Sequence, residues 1–239
     1  MDEFQTVIFR KRSGVAWLTL NRPHVLNAMN MQMRDELWTV MGAIRDDPDT
    51  RVVVIKGAGD RAFSAGADVS EFGTAPSFVE SRRARRERDL WQLMLDLDKP
   101  LIAAIHGYAL GAGCEMSMCC DLRVASEDAR FGLPEVKLAY IPSAGGTQLL
   151  PRTIPPGIAT EMILTGDDID AASALRLGLV HKVVARDRLY DEAEAWAREL
   201  MTRPSAVLRY AKEAVTRGME VSLEAGLAME RRLSRLLAF

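Results

Sequence analysis

The sequence predicts an α/β protein, and three observations support this class. Short, continuously apolar runs at residues 52–55 and 101–105 are typical of strands that are buried on both faces of a sheet. Amphipathic helical patterns separate such runs, and a strand–helix–strand order favours parallel pairing. The length of 239 residues is sufficient for one large apolar core.

The chain opens with a predicted β-hairpin followed by a helix. Strand-like residues from Val7 to Phe9 and from Val15 to Leu20 are separated by the turn-prone residues 11–14. Asn30 is a candidate N-cap for a helix that runs to about Arg45, because Met33, Leu37, Val40, Met41 and Ile44 recur at helical spacing after it. The sequence Asp46-Asp47-Pro48 ends this helix.

After this helix, predicted strands and helices alternate at first, and the C-terminal part of the chain is predicted to be helical. We expect a core domain over residues 1–185 and a C-terminal helical oligomerisation region over residues 186–239, because the last helices are more apolar than a solvated appendage requires. The further elements that the patterns predict are a helix at 78–97, strands at 122–124, 130–132 and 180–184, and helices at 188–201, 205–216 and 222–237.

Composition excludes several classes of function. The formal net charge of −2 gives no global attraction to nucleic acid or to an anionic membrane, so neither is expected as a partner. The acidic start at residues 1–4 is unlike a signal peptide, and no run approaches the roughly 18 apolar residues of a membrane span, so a cytoplasmic location is expected. Cys114, Cys119 and Cys120 match no zinc spacing with the three histidines; we expect buried, reduced thiols and no metal.

Glu115 is the first candidate for a catalytic residue. It lies in the otherwise apolar stretch 109–120, where a charged side chain is unusual unless it has a partner or a function. The glycines before it allow close approach of the backbone. A helix that begins near Gly111 leaves its first N–H groups without intrahelical acceptors, and Ala112 is the candidate donor to a negative oxygen. The alternative is that Glu115 only forms a buried structural pair.

Three other segments could contribute to a site. The small-residue loop Ala62–Ser70 follows a strand, where α/β proteins often bind ligands, although taken alone it is better explained as a tight strand-to-helix turn. Glu135 is a second acid just after a proline, and taken alone it is an ordinary surface glutamate. The loop Pro142–Thr147 lacks the lysine of a phosphate-binding loop, so nucleotide hydrolysis is not indicated.

In combination and in chain order, these segments resemble the enoyl-CoA hydratase/isomerase family, whose members are also called crotonases. No single segment is decisive, whereas the ordered set is specific and covers nearly the whole chain. The matching segments are Asn21-Arg22-Pro23 with Leu26-Asn27-Ala28, Ala62–Asp68, Lys99–Gly107 continuing through Glu115 to Asp121, Phe131–Glu135, and Pro142–Gln148.

The resemblance implies a crotonase-like spiral of ββα units, followed by a C-terminal helical module that forms a homotrimer or a dimer of trimers. It also implies an acyl-CoA thioester as substrate and no separate cofactor, since coenzyme A is part of the substrate. The family's final helix usually continues beyond the position of Phe239 and touches coenzyme A, so the resemblance leaves a contribution of such a tail open.

The resemblance further implies roles for individual residues. The backbone N–H groups of Ala67 and Ala112 correspond to an oxyanion hole for the thioester oxygen. Glu115 corresponds to the acid that activates water, and Glu135 to the acid that delivers a proton. The positions that correspond to the substrate and coenzyme A site are Leu26, Ala28, Ala65, Ala67, Asp68, Val69, Ser70, Gly111 and Ser143.

The expected reaction is reversible addition of water to a 2-enoyl-CoA, giving a 3-hydroxyacyl-CoA. The alternatives are a double-bond isomerase, a hydratase of an aromatic or alicyclic acyl-CoA, an RNA-binding relative and a purely structural oligomer. Ser143 stands where some relatives carry an aspartate nucleophile, which disfavours dehalogenation. The five arginines between Arg82 and Arg88 form either a solvated helix face or a contact for coenzyme A phosphates.

Overall fold

Two β-sheets and the helices around them make up the protein. The computed structural model describes residues 4–74 and 87–237. Its strands are β1 Val7–Arg12, β2 Val15–Leu20, β3 Val52–Gly57, β4 Ala62–Ser64, β5 Leu101–Ile105, β6 Tyr108–Leu110, β7 Leu122–Ser126, β8 Arg130–Gly132, β9 Ile169–Asp170 and β10 Lys182–Val184. Its α-helices are α1 Met31–Asp46, α2 Leu90–Leu95, α3 Ala112–Met118, α4 Gly146–Thr153, α5 Pro156–Thr165, α6 Ala171–Leu177, α7 Leu189–Met201, α8 Ser205–Gly218 and α9 Leu223–Arg235.

The larger sheet has the strand order β1-β2-β3-β5-β7-β10. β1 and β2 form the predicted antiparallel hairpin, and the turn is confined to Ser13 and Gly14, both with positive φ. All other pairs in this sheet are parallel. The predicted α/β class is therefore confirmed.

Alternate residues of the central strands enter two separate cores. Val53 and Ile55 of β3 lie in the cluster that contains the buried face of α1, whereas Val52 and Val54 lie in the cluster that contains Leu189 of α7. A strand that is covered on both sides needs apolar residues at every position, which explains its continuous apolar run. Helix α7 thus covers one face of the larger sheet. The predicted domain boundary at residue 185 stays a prediction.

The ends of helix α1 follow its sequence signals. The side chain of Asn30 accepts a hydrogen bond from the N–H of Met33, which satisfies one of the unpaired donors of the first turn. Met33, Leu37 and Ile44 are buried on one face of the helix. The predicted cap and the predicted face are both confirmed.

The second sheet differs from the sequence expectation. It has the order β4-β6-β8-β9, and β4 occupies the start of the segment that we expected to be a loop throughout. Among its strands, β8 was predicted at 130–132, whereas β4, β6 and β9 have only two or three residues, too few to show a period of two. Helices α5 and α6 were not predicted either.

Part of the predicted helix at 78–97 lies outside the described residues, and so do Arg82, Arg83, Arg85 and Arg86. The described part contains α2 and Arg88, whose guanidinium pairs with Asp35 at 3.0 Å and lies over the ring of Trp38. No helix within residues 4–74 and 87–237 has both the length and the apolar character needed to cross a membrane.

Helices α8 and α9 pack against each other and present apolar side chains to solvent. Val215, Met219 and Leu223 are 65%, 80% and 78% exposed. Lys212 of α8 attaches this pair to the core through an ion pair of 2.8 Å with Asp121. The apolar content that suggested an oligomerisation region is therefore located on the surface of the described chain.

Candidate active site

Helix α3 begins at the end of β6 and carries Glu115 in its first turn. Gly111 makes this connection with φ of +50°, a conformation that favours glycine. A side chain at Gly113 would collide with the backbone of Ser64, so the small residues let α3 approach β4 closely. The helix thereby places Glu115 in the interior, where it is only 2% exposed.

Glu115 is held by the backbone of the loop before α4. Its Oε1 accepts hydrogen bonds from the N–H groups of Ala144 at 2.9 Å and Gly146 at 2.8 Å. Burial raises the pKa of this carboxyl, while the two N–H donors act in the opposite direction because they stabilise the ionised form. A Cβ at Gly146 would lie 2.9 Å from the same oxygen, which explains the need for glycine there.

Glu135 is the second acid, and it has a different environment. It lies in a 3-10 helix over residues Pro134–Leu138, directly after β8. Its Oε1 lies only 2.8 Å from the place that a Cβ of Gly111 would occupy, and its buried Oε2 has no hydrogen-bond partner in the described structure. Burial raises the pKa of Glu135 to about 7, and the charge of nearby Glu115 also raises it.

The structure thus brings the two glutamates to one place. Near neutral pH, Glu135 carries its proton for a large part of the time; burial also raises the pKa of Glu115, but its two amide donors oppose this rise. Two carboxyl groups with different proton affinities can remove one proton and supply another.

Two small-residue loops meet beside this pair of acids. A Cβ at Gly66 would lie 2.9 Å from the carbonyl oxygen of Leu110 and 3.3 Å from the amide nitrogen of Ala112. Within the described residues, neither the N–H of Ala67 nor that of Ala112 donates a hydrogen bond. Two backbone donors on adjoining loops are suited to bind one negative oxygen.

The loop that carries Ala67 is fixed on both sides. Met29 donates to the carbonyl of Gly66 at 2.8 Å and accepts from the N–H of Asp68 at 3.0 Å. Nη1 of Arg22 lies 2.7 Å from Oδ2 of Asp68, and both side chains are largely buried. Asp68 also accepts a hydrogen bond from the backbone N–H of Ser70, which fixes the conformation of the loop after Ala67.

Some of the predicted coenzyme positions are adjacent in the structure. The N–H of Ala65 donates to the carbonyl of Leu26 at 2.9 Å, and the carbonyl of Ala28 accepts from Arg22. Val69, Ser70 and Ser143 are exposed, the first two beyond Asp68 and the last next to the amide that holds Glu115. A cavity of about 360 Å³ is lined by Leu26, Asp60, Arg61, Gly107, Tyr108, Asp128 and Arg130.

Sequence reasoning missed two contributions to the site. Asn27 is fully buried, and its side-chain amide donates to the carbonyls of Ala58 and Ala62. These bonds hold the segment around Leu26 against β4. The amides of Ala144 and Gly146 hold Glu115 in place. The glycine pair at 145–146 was visible in the sequence, but the partner is about thirty residues away and only the fold identifies it.

Comparison with known proteins extends these observations. A model of the enoyl-CoA hydratase/isomerase family matches residues 10–237. The short-chain-enoyl-CoA hydratase of Clostridium acetobutylicum is 40% identical over 228 residues, which cover 95% of this chain and 87% of the relative. The crotonyl-CoA hydratase of Syntrophomonas wolfei is 38% identical with the same coverage. An enoyl-CoA hydratase structure from Bacillus anthracis has a TM-score of 0.91 at 39% identity and covers 97% of this chain and 90% of its own.

Proposed function

Because this chain belongs to the enoyl-CoA hydratase/isomerase family, we propose that its buried pair of glutamates adds water reversibly to the double bond of a 2-enoyl-CoA. The product is a 3-hydroxyacyl-CoA, and the enzyme is a hydro-lyase. The observation that carries this proposal is the placement of Glu115 and Glu135 beside two free backbone donors.

The N–H groups of Ala67 and Ala112 bind the thioester carbonyl oxygen in this proposal. Addition of an oxygen nucleophile at Cβ moves electron density onto that oxygen and forms an enolate. Fixed backbone dipoles stabilise the developing charge and need no reorganisation during the reaction. No charged side chain is required at this position.

The two carboxyl groups divide the proton transfers. Glu115, ionised, takes a proton from water while the water oxygen bonds to Cβ, and Glu135, protonated, gives its proton to Cα. The two transfers leave Glu115 protonated and Glu135 ionised, so a proton must pass between the pair through solvent or product before the next turnover. The reverse sequence dehydrates the product.

The presence of two acids supports hydration over double-bond isomerisation. A shift of the double bond removes and returns one proton, for which a single carboxylate suffices. Glu115 is costly to bury, and its two amide donors keep it in the site as an acceptor. An isomerase would have no use for this second acid.

Arg61 supports coenzyme binding near Leu26. Both residues line the cavity of about 360 Å³, and a guanidinium suits phosphate oxygens because it offers several N–H donors in one plane. The phosphates of coenzyme A therefore lie on the Leu26 side of the site in this proposal.

The oligomer and the location are parts of the same proposal. The exposed apolar side chains of α8 and α9 are covered by further copies of this chain, in a homotrimer or a dimer of trimers, in the cytoplasm. Sedimentation or light scattering measures the assembly directly, and a monomer at micromolar concentration would contradict this part.

The activity itself is tested by mixing the protein with crotonyl-CoA and following loss of the enoyl-thioester absorbance. We expect turnover and a 3-hydroxyacyl-CoA product by mass spectrometry. A protein that binds crotonyl-CoA without turnover, but converts a 3-enoyl-CoA to the 2-enoyl isomer, would be an isomerase and would contradict the proposal.

A further inference from the structure

An aromatic contact joins the two loops that carry the candidate oxyanion donor and the candidate acid. The rings of Phe72 and Tyr140 are 4.9 Å apart in an edge arrangement, with an angle of 64° between their planes. Phe72 follows the short 3-10 helix Val69–Glu71 that comes after Ala67. The N–H of Tyr140 donates to the carbonyl of Glu135 at 3.1 Å. The ring pair therefore joins the loop that follows Ala67 to the loop that follows Glu135.

Both rings and three apolar residues close to them in the chain are exposed. Phe72 is 41% and Tyr140 is 54% exposed, and Val69, Leu138 and Ile141 are 58%, 52% and 70% exposed. Exposed apolar side chains that are grouped at the rim of a site commonly contact an apolar ligand. No polar recognition is needed for a hydrocarbon chain.

The direction of the substrate follows from the proposed function, on which this inference rests. With the thioester oxygen at Ala67 and Ala112 and the coenzyme towards Leu26, Cα lies at Glu135. Carbons beyond Cβ must then leave the site past the Glu135 loop. Tyr140 belongs to that loop, and its ring contacts the ring of Phe72 on the loop that follows Ala67.

We propose that the Phe72–Tyr140 ring pair forms the end wall of the acyl site and restricts this enzyme to short, straight acyl groups. Aromatic pairs in edge contact are mutually attractive, so an acyl chain long enough to reach the pair must separate the rings and lose this interaction. The wall thus discriminates by size, and the reacting thioester end is bound equally in all substrates.

The test compares crotonyl-CoA with 2-decenoyl-CoA in the wild type and in Phe72→Ala, Tyr140→Ala and the double variant. The measured quantity is the ratio of the two kcat/KM values, so a general loss of activity cancels. We expect the ratio to shift towards decenoyl-CoA by about tenfold or more in the double variant, because the pocket gains room for several methylene groups. Tyr140→Phe keeps the ring, and the wild-type ratio is expected.

Phe9→Ala is the matched control, since Phe9 is a 40% exposed aromatic residue on β1, the edge strand of the larger sheet. It should keep both the activity and the ratio. A folded double variant with the wild-type ratio would overturn the inference, and so would a wild type that prefers decenoyl-CoA or cinnamoyl-CoA to crotonyl-CoA.

Binding of saturated thioesters separates this inference from the proposed function. Butyryl-CoA and decanoyl-CoA cannot be hydrated, so the ratio of their dissociation constants reports the acyl wall even if no turnover occurs. We expect the same shift in the double variant by calorimetry. Turnover failure with a shifted binding ratio would contradict hydration alone, whereas an unshifted binding ratio would contradict the wall.

Discussion

Glu115 and Glu135 are close enough for the charge of one to raise the pKa of the other, but their hydrogen-bond partners differ. Oε1 of Glu115 accepts two backbone N–H bonds, while the buried Oε2 of Glu135 has no partner among the described residues. In the proposed mechanism, this difference makes Glu115 the base and Glu135 the acid.

Replacing Glu135 by glutamine should abolish turnover and leave binding nearly unchanged. The amide has the same shape but cannot donate an acidic proton to Cα, and loss of such a group typically lowers the rate by about 10² to 10⁴. Steady-state kinetics with crotonyl-CoA and calorimetry with butyryl-CoA measure the two effects. Weak binding in this variant would mean that Glu135 positions the thioester instead.

Hydration should slow as the pH rises through about 7. Glu135 must be protonated to act as the acid, and its pKa of about 7 means that this form is lost above neutrality. We expect kcat/KM for hydration to fall by about tenfold per pH unit on the alkaline side. A profile that stays level up to pH 9 would show that Glu135 is not the proton donor.

Glu135→Gln should also be more stable than the wild type at pH 8. The pKa of Glu135 is raised above its ordinary value of 4.5, so the native state binds more protons than the unfolded state between pH 4.5 and about 7. The free energy of unfolding of the wild type therefore falls as the pH rises through this window. After allowance for partial solvation, we expect Glu135→Gln to gain about 1 to 2 kcal/mol at pH 8 in urea unfolding, and no gain at pH 4.

Ala112→Pro should remove one oxyanion donor with little damage to the helix. Ala112 is the first residue of α3, a position where proline is tolerated because the N–H has no intrahelical partner. Loss of one donor lowers kcat by about 10² to 10³. Ala112→Ser keeps the N–H, and we expect it to retain kcat within a small factor. Equal activity of both variants would remove this amide from the mechanism.

Gly111→Ala should disturb Glu135. The new Cβ would lie 2.8 Å from Oε1 of Glu135, and alanine is strained at φ of +50°. We expect a loss of kcat of at least about 10² together with a lower melting temperature. Gly42→Ala is the control, because a Cβ there meets no atom within 4 Å and Gly42 lies inside α1. It should be active and as stable as the wild type or more.

Local sequence signals predicted the elements of the larger sheet and the first acid, Glu115, whereas Glu135 was assigned through the family resemblance. The Asn30 cap, the apolar run at 52–55 and the isolated carboxylate Glu115 each have a cause that lies within a few residues. Strands β4, β6 and β9 of the second sheet and the Phe72–Tyr140 contact have no such local cause. Short strands and contacts between distant loops depend on the tertiary structure, so the pattern of one sequence does not reveal them.

The central claim is that the two carboxyl groups and the two backbone amides act on one thioester. A crystal structure with bound butyryl-CoA tests this claim most directly. We predict that the thioester oxygen lies within hydrogen-bond distance of the nitrogen atoms of Ala67 and Ala112, with Glu115 and Glu135 both facing the bond between Cα and Cβ. A thioester bound away from these amides, or carboxyl groups that face different ligand atoms, would contradict the account.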